Sequence, residues 1–413
     1  MDDLATRIRI DDPSWYLQDD AHVMFDEARR DAPVLFYPEL NTFLLTRHDD
    51  ISDVSRTPGI FSSAQGMLLN DAKYGNIASS FFPDGAELIT ATDPPRHREL
   101  RRVIQPTFSA VAVANFEPLI REHCKSLVAS IEPGVEIDFV EKMAIPLPIR
   151  MICEVLGIEG APEQDVREWT DQMERMGGDL THAELTEISN SLEPMNQFLM
   201  QALERKRGTT GDNLLSTLLQ AEIDNEKLTD MNVLMLTVAT MVAGNGTTRA
   251  LLGDTIFTLA QHPQARADLV QDPSLIPSAI NEVLRFVTPV AGFLRTSVED
   301  TEIRGTTIKA GQYVYMSYMA ANRDEEVFID PHSFDVRRGK KVTHLSFGTG
   351  EHACPGNSLA RLEAHVFMDE LLKRFPDWTI TGEVEPIMSI MTNGFERLPV
   401  TFEEADADRT SPE

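Results

Sequence analysis

Apolar residues recur at three- and four-residue spacing along most of the chain, the repeat of amphipathic helices. It predicts helices at residues 19–31 (DDAHVMFDEARRD), from Arg96, from Ala110, and at 146–156, 162–176, 182–205 and 213–221. The longest run covers 229–262, with Thr229 and Asp230 placed to cap its start and Pro263 just past its end. At about 1.5 Å per residue such a helix crosses a whole domain. A further helix is predicted over 274–288, with Pro277 tolerated in its first turn, and another over 359–374. Strand-like text is confined to VLFYPELNTFLLTR (34–47), read as two strands around a Pro/Asn turn, and to 290–336, where short β-rich pieces are broken by Gly, Asn and Asp. There is no internal repeat and no low-complexity linker. The pattern predicts one unit over residues 1–413, mainly α with a small β portion, ending in a polar, disordered tail at about 404–413.

Composition narrows the function. Hydrophobic residues make up 42% and charged residues 25% of the 413, an ordinary globular mix. A formal net charge of −29 opposes broad phosphate-backbone binding, so nucleic acid is excluded as a general partner. The N-terminal text has no basic segment followed by an apolar one, and no apolar run approaches about 18 residues. The expectation is a soluble cytoplasmic protein without a membrane anchor. Cys124, Cys153 and Cys354 are few, odd in number and widely spaced, against a disulfide framework.

One cysteine stands in unusual company. The segment HLSFGTGEHACPGNSL (344–359) sets Cys354 after Gly348 and Gly350 and before Pro355 and Gly356, where a helix begins. Backbone N–H groups and the positive end of a helix dipole favour thiolate there, suited to binding a metal or attacking an electrophile. The alternative is a small buried hydrophobe. The glycines also allow something flat and bulky to approach the backbone. A zinc site from His344, His352 and Cys354 fails on spacing, and Gly348-Thr349-Gly350 lacks the βαβ context of a dinucleotide fold.

The run FGTGEHACPG resembles the haem-thiolate loop of the cytochrome P450 family, Phe-Gly-x-Gly-x-His/Arg-x-Cys-x-Gly, on Phe347, Gly348, Gly350, His352, Cys354 and Gly356. Three more segments match in the family's order. Glu282 and Arg285 form its ExxR pair, one turn apart on a helix; the bland reading is a solvated ion pair. The resemblance implies a buried structural pair tied to Asn322-Arg323-Asp324 and on to Phe334, with Arg337 as a third partner. In DPPRHRELR (93–101), His97 and Arg101 share a helix face; the resemblance implies that they hold a haem propionate together with Arg295 and His352.

The fourth segment is Ala243-Gly244-Asn245-Gly246-Thr247-Thr248, at the centre of the long helix. Two glycines there cost about 1 kcal/mol each relative to Ala, for which unwinding, ligand approach or a kink against a neighbour would account. The resemblance implies a widened helix over the haem, with Asn245, Gly246 and Thr247 as the oxygen-activating set and the Thr247 alcohol delivering protons. Here the chain departs from the family: Gly246 stands where an acid is usual. Water or a substrate carboxylate in the vacated space is the expected substitute, failing which reducing equivalents leak to peroxide.

The implied protein is a P450-fold monooxygenase with haem b bound through a Cys354 thiolate and its long helix over the buried haem. It would insert one oxygen atom from O2 into a C–H bond of a hydrophobic small molecule, a steroid, terpenoid or branched lipid. Electrons would come ultimately from NAD(P)H through a ferredoxin and its reductase, docking on Arg98, Arg102, Arg337, Arg338, Lys340 and Lys341. By family position the pocket is Met67–Leu69, Phe81–Phe82, Ala239, Ala243, Val290, Ala291, Phe293 and Met388–Met391. Competing readings are a peroxide-using haem-thiolate enzyme and a haem-binding sensor that does not turn over.

Overall fold

The computed structural model describes residues 2–18, 20–75, 86–158, 160–175, 180–209, 211–338 and 343–404. Phe81, Phe82, Lys340, Lys341, the helix-end residues Asp19 and Met176, and positions 405–413 of the tail lie outside the described residues.

Helical periodicity becomes α1 (Asp2–Arg7), α2 (Ala21–Asp31), α3 (His48–Arg56), α4 (Leu69–Tyr74) and α5 (Arg96–Ile104). The helix expected from Ala110 is two, α6 (Ala110–Ala114) and α7 (Glu117–Ala129), because Pro118 has no N–H for an interior bond and fits only a first turn. After α8 (Pro146–Leu156) and α9 (Glu163–Arg175), the helix expected over 182–205 divides in the same way at Pro194 into α10 (His182–Ser191) and α11 (Glu193–Lys206). Asn213 caps α12 (Leu214–Gln220), its side chain accepting from Ser216 N. The long helix is α13 (Asp230–Gln261), capped by the Thr229 side chain on Asn232 N. Then come α14 (Pro263–Gln271), α15 (Ile276–Val287), the short α16 (Tyr318–Ala321) and α17 (Asn357–Arg374).

Strands are fewer and shorter. Val34–Tyr37 (β1), Thr42–Leu45 (β2) and Phe61–Ser62 (β3) are followed by β4 (Glu136–Asp138) and the hairpin of β5 (Glu222–Ile223) and β6 (Glu226–Lys227). The β-rich stretch is β7 (Gly292–Ser297), β8 (Thr301–Ile303), β9 (Thr306–Ile308) and β10 (Tyr313–Ser317); β11 (Asp377–Ile380), β12 (Glu385–Pro386), β13 (Phe395–Arg397) and β14 (Pro399–Glu403) follow α17. The main sheet has the order β1-β2-β10-β7-β3, with β10 parallel to β2 and the other pairs antiparallel. This pairing joins the N-terminal hairpin to the segment after α15.

Three apolar clusters carry the packing. The largest joins α5–α9, α11–α13, α15, α17 and β14; a second joins α1, α2 and β1 to Ala291, Leu294 and Tyr315; a third holds Phe43, Val314, Tyr318 and Leu345. Among the described residues no helix is long and apolar enough to cross a membrane.

Candidate functional site

Cys354 sits in a loop that the rest of the chain holds from three sides. Its N–H donates to Phe347 O at 2.8 Å, closing the loop on itself. Gly348 and Gly350 have φ of +63° and +71°, which favour glycine. A Cβ on Gly350 would also overlap the Ser55 carbonyl at the end of α3, so this glycine serves packing between loop and helix. Pro355 has no N–H, and the sulfur receives the amides of Gly356 and Asn357 at the start of α17. Burial pushes the thiol up, while those amides and the Arg101 and Arg361 guanidiniums oppose it. Coordination to a metal would remove the proton outright.

The support beneath the loop runs through α15. Glu282 and Arg285 are fully buried and bidentate, at 2.7 and 2.9 Å. Arg285 also donates to the carbonyls of Asn322, Pro331 and Ser333. Asn322 then reaches the cysteine loop: its amide donates to Thr288 Oγ1 and Ser346 Oγ, and its carbonyl accepts from Leu345 N. The expected third partner, Arg337, is instead paired with Asp268; the neighbouring Arg338 donates to both Glu282 oxygens at 3.0 and 3.1 Å. Chain direction after Asp335 decides between two adjacent arginines that look alike in sequence.

Beside Cys354 gather the four residues expected to bind an anion. His97 and His352 stack with centroids 3.9 Å apart, and Arg101 donates to Ala353 O. Among the described residues, Arg295, buried on β7, has a hydrogen bond only to Leu294 O, and His97 Nδ1 has no partner. Burial and the neighbouring Arg295, His97 and Arg101 push His352 down to about 3. The nearby carboxylates are engaged elsewhere, Asp93 with Ser62 and Ser63 and Glu351 with Arg98. The Arg101 and Arg295 guanidiniums, without a carboxylate partner among the described residues, are costly there unless an anion completes the cluster. It therefore fits the propionates of a haem whose iron Cys354 would hold.

The long helix is buried along most of its length, yet Ala239, Ala243 and Thr247, stacked at four-residue spacing, keep solvent access. Thr247 Oγ1 donates to Ala243 O at 2.9 Å. Asn245 does not join them: two residues on is about 200° around the helix, and its amide donates to Thr170 Oγ1 on α9 at 2.5 Å. The expected widening is also absent, since α13 is continuous α-helix through both glycines. A Cβ on Gly244 would lie 2.8 Å from Ile152 Cδ1 of α8. A Cβ on Gly246 would overlap the Glu174 carboxyl of α9, so the space expected to be vacant is filled by a carboxyl from another helix.

Among the pocket residues, Val290 bridges Thr392 and Ala291 N donates to Met391 O, so the exit of α15 and the last turn form one wall. Leu294 N donates to Met67 O, and Phe293 shares a strand face with Arg295 while its ring lies against Tyr318. Met388 is 59% exposed and outside this wall. Of the basic docking residues, Arg98 is paired with Glu351, Arg337 with Asp268, and Arg338 is taken up beneath α15; Arg102 remains exposed. Sequence reading missed Arg361, whose guanidinium lies 4.4 Å from the Phe347 ring centroid and donates to Asn281. Its position one turn into the helix that begins just after Cys354 was the available signal.

Residues 175–403 match the family model described as Cytochrome P450. Over 403 residues the chain is 34% identical to a methyl-branched lipid omega-hydroxylase of Mycobacterium tuberculosis, covering 94% of this chain and 92% of the relative. It is 32% identical to linalool 8-monooxygenase of Pseudomonas putida, covering 94% and 97%. Solved structures superpose closely: CYP109E1 of Bacillus megaterium in complex with testosterone (TM-score 0.82, 29% identity, 94% and 99% covered) and a cytochrome P450-153 of Novosphingobium aromaticivorans (0.84, 29%, 95% and 99%).

Proposed function

The chain belongs to the cytochrome P450 family and is a monooxygenase of it, and on that premise we propose that Cys354 is the axial thiolate ligand of haem b in one domain spanning the chain. When bound, the haem activates O2 so that one oxygen atom enters a substrate C–H bond and the other leaves as water, consuming two electrons and two protons.

The chain's own residues bind, orient and supply protons. His97, Arg101, Arg295 and His352 hold the two propionates, and Phe347 and Gly348 shape the loop that presents the sulfur. The Gly356 and Asn357 amides withdraw charge from it. Thr247, on the open face of α13, holds a proton at its hydroxyl oxygen. Ala239, Ala243, Val290, Phe293 and Met391 form the apolar wall that excludes water and receives a steroid, terpenoid or branched lipid. That class draws support from the relatives named for a methyl-branched lipid and linalool, and from the testosterone-bound neighbour. Electrons come from NAD(P)H through a reductase and a ferredoxin. The carrying observation is the buried basic cluster beside a cysteine whose sulfur faces two amides. The peroxide-using alternative rests on a missing acid at Gly246; the Glu174 carboxyl in that space favours the monooxygenase reading.

The test is spectroscopic. Reduced protein with CO should give the thiolate-ligated Soret band, and Cys354→Ser should abolish it. Titration with steroids, terpenoids and fatty acids should blue-shift the resting band for one class. A thiolate band surviving Cys354→Ser rejects the ligand, and a resting band that no steroid, terpenoid or fatty acid shifts rejects the pocket assignment.

A further inference from the structure

We propose that Glu174, on α9, is the acid that position 246 of α13 lacks, taking protons from solvent and passing them through water to the Thr247 hydroxyl. The inference rests on the roles given above to Cys354 and Thr247.

The geometry is specific. The Glu174 carboxyl lies in the volume that a side chain at 246 would fill, one residue before Thr247. Arg249, one turn on along α13, donates to Glu174 Oε2 at 3.1 Å, while Oε1 is buried without a side-chain partner among the described residues. The ion pair occupies one oxygen and leaves the other, against Gly246, to exchange a proton. Oε1 itself is buried, while the side chain as a whole retains 16% exposure, the edge through which bulk water would resupply the proton. The α9–α13 contact is fixed on either side by Asn245 to Thr170 and by Arg249 to Asp171 at 2.9 Å. Glycine at 246 is then a requirement, because any Cβ would displace the carboxyl.

The surroundings suit the task. Burial raises the Glu174 carboxyl to about 7; Arg249 and the Gly246 backbone on α13 oppose the rise, and Asp171 on α9 and Glu396 on β13 add to it. A donor that titrates near neutral pH both holds a proton and releases it. Each turnover takes two protons, and Glu174 returns to its starting state by taking one from water for each one passed on.

Three variants test this in the haem-loaded protein: Glu174→Gln keeps the shape and loses the proton, Glu174→Asp keeps the acid, and Glu174→Gly combined with Gly246→Glu moves it onto α13. Glu174→Gln should lower product formation by about tenfold or more, raise peroxide per electron consumed, and remove a pH dependence centred near 7. Glu174→Asp and the relocated acid should each recover most of the product yield. Independently of turnover, infrared titration of the resting protein should show a carboxyl band that vanishes with rising pH near 7 and is missing in Glu174→Gln. Unchanged coupling in Glu174→Gln, a loss that neither Glu174→Asp nor the relocated acid restores, or no such band overturns the proposal. Absence of the thiolate CO band from the unmodified protein would instead overturn the Cys354 assignment.

Discussion

Arg285 uses every donor it has: two bonds to Glu282 and three to backbone carbonyls of Asn322, Pro331 and Ser333, with no side-chain exposure. Arg285→Ala leaves Glu282 buried with Arg338 and the Asp335 amide as its partners and should cost about 3–5 kcal/mol. Arg285→Lys should recover little, because a single ammonium cannot serve a carboxylate and three carbonyls at once. Urea unfolding of both variants measures this. Titration at the residue scale has a definite sign. Burial and the charges of Arg361, Arg285 and His48 push His344 down to about 3, below the unfolded value of about 6.5. Its stabilising share is full above about 6.5 and is lost as pH falls toward 3. Burial raises Asp254 to about 8, so its share is full below about 4 and is lost as pH rises toward 8. His344→Gln should therefore flatten the acid limb of a stability–pH curve and Asp254→Asn the alkaline limb, read by thermal melts from pH 4 to 9. The pairing of Glu282 with Arg285 was legible because helical spacing is local. Its burial, and the choice of Arg338 over Arg337, depend on loops that fold back from elsewhere.

At the scale of elements, local chemistry was legible and faces were not. Thr229 and Pro263 bound α13 as their capping and breaking properties dictate, whereas Pro118 and Pro194 restart helices where apolar periodicity runs on unbroken. Because α13 is buried on most sides, its pattern carries no stripe to mark the site-facing side. The family motif therefore sets Asn245 beside Thr247, although the two point apart. The parallel pairing of β2 with β10 joins segments distant in sequence and left no local trace. The α13 glycines divide by what surrounds them. A Cβ on Gly253 would meet only Phe395 Cδ2 at 3.5 Å, ordinary contact, so Gly253→Ala should stabilise by about 0.5–1 kcal/mol through helix propensity. Gly244→Ala should gain less, since Ile152 Cδ1 at 2.8 Å must shift first. Chemical denaturation of the two variants gives the comparison.

For the whole molecule, the basic cluster lies where separately packed parts meet: His97 and Arg101 come from α5 on the large helical core, Arg295 from the main sheet, and His352 from the cysteine loop. No single element could show such a cluster in the sequence; only the family motif linked its members. An anion at this junction would hold the helical and sheet parts to each other, so binding of the group and cohesion of the fold should be coupled. Arg295 separates the two effects. Without the haem it is a buried cation bonded, among the described residues, only to Leu294 O, a burden on stability, and Arg295→Met replaces it with an apolar side chain of similar length. The cofactor-free variant should melt at a higher temperature than the unaltered cofactor-free protein. Once loaded, the order should reverse: the variant lacks a propionate partner, should lose haem to an acceptor protein at least about tenfold faster, a cost of about 1.4 kcal/mol, and should melt lower. Measuring both forms side by side makes the sign decisive. If Arg295→Met lowers both melting temperatures alike, Arg295 supports the sheet as such, and the cluster's charge is not built for a bound anion.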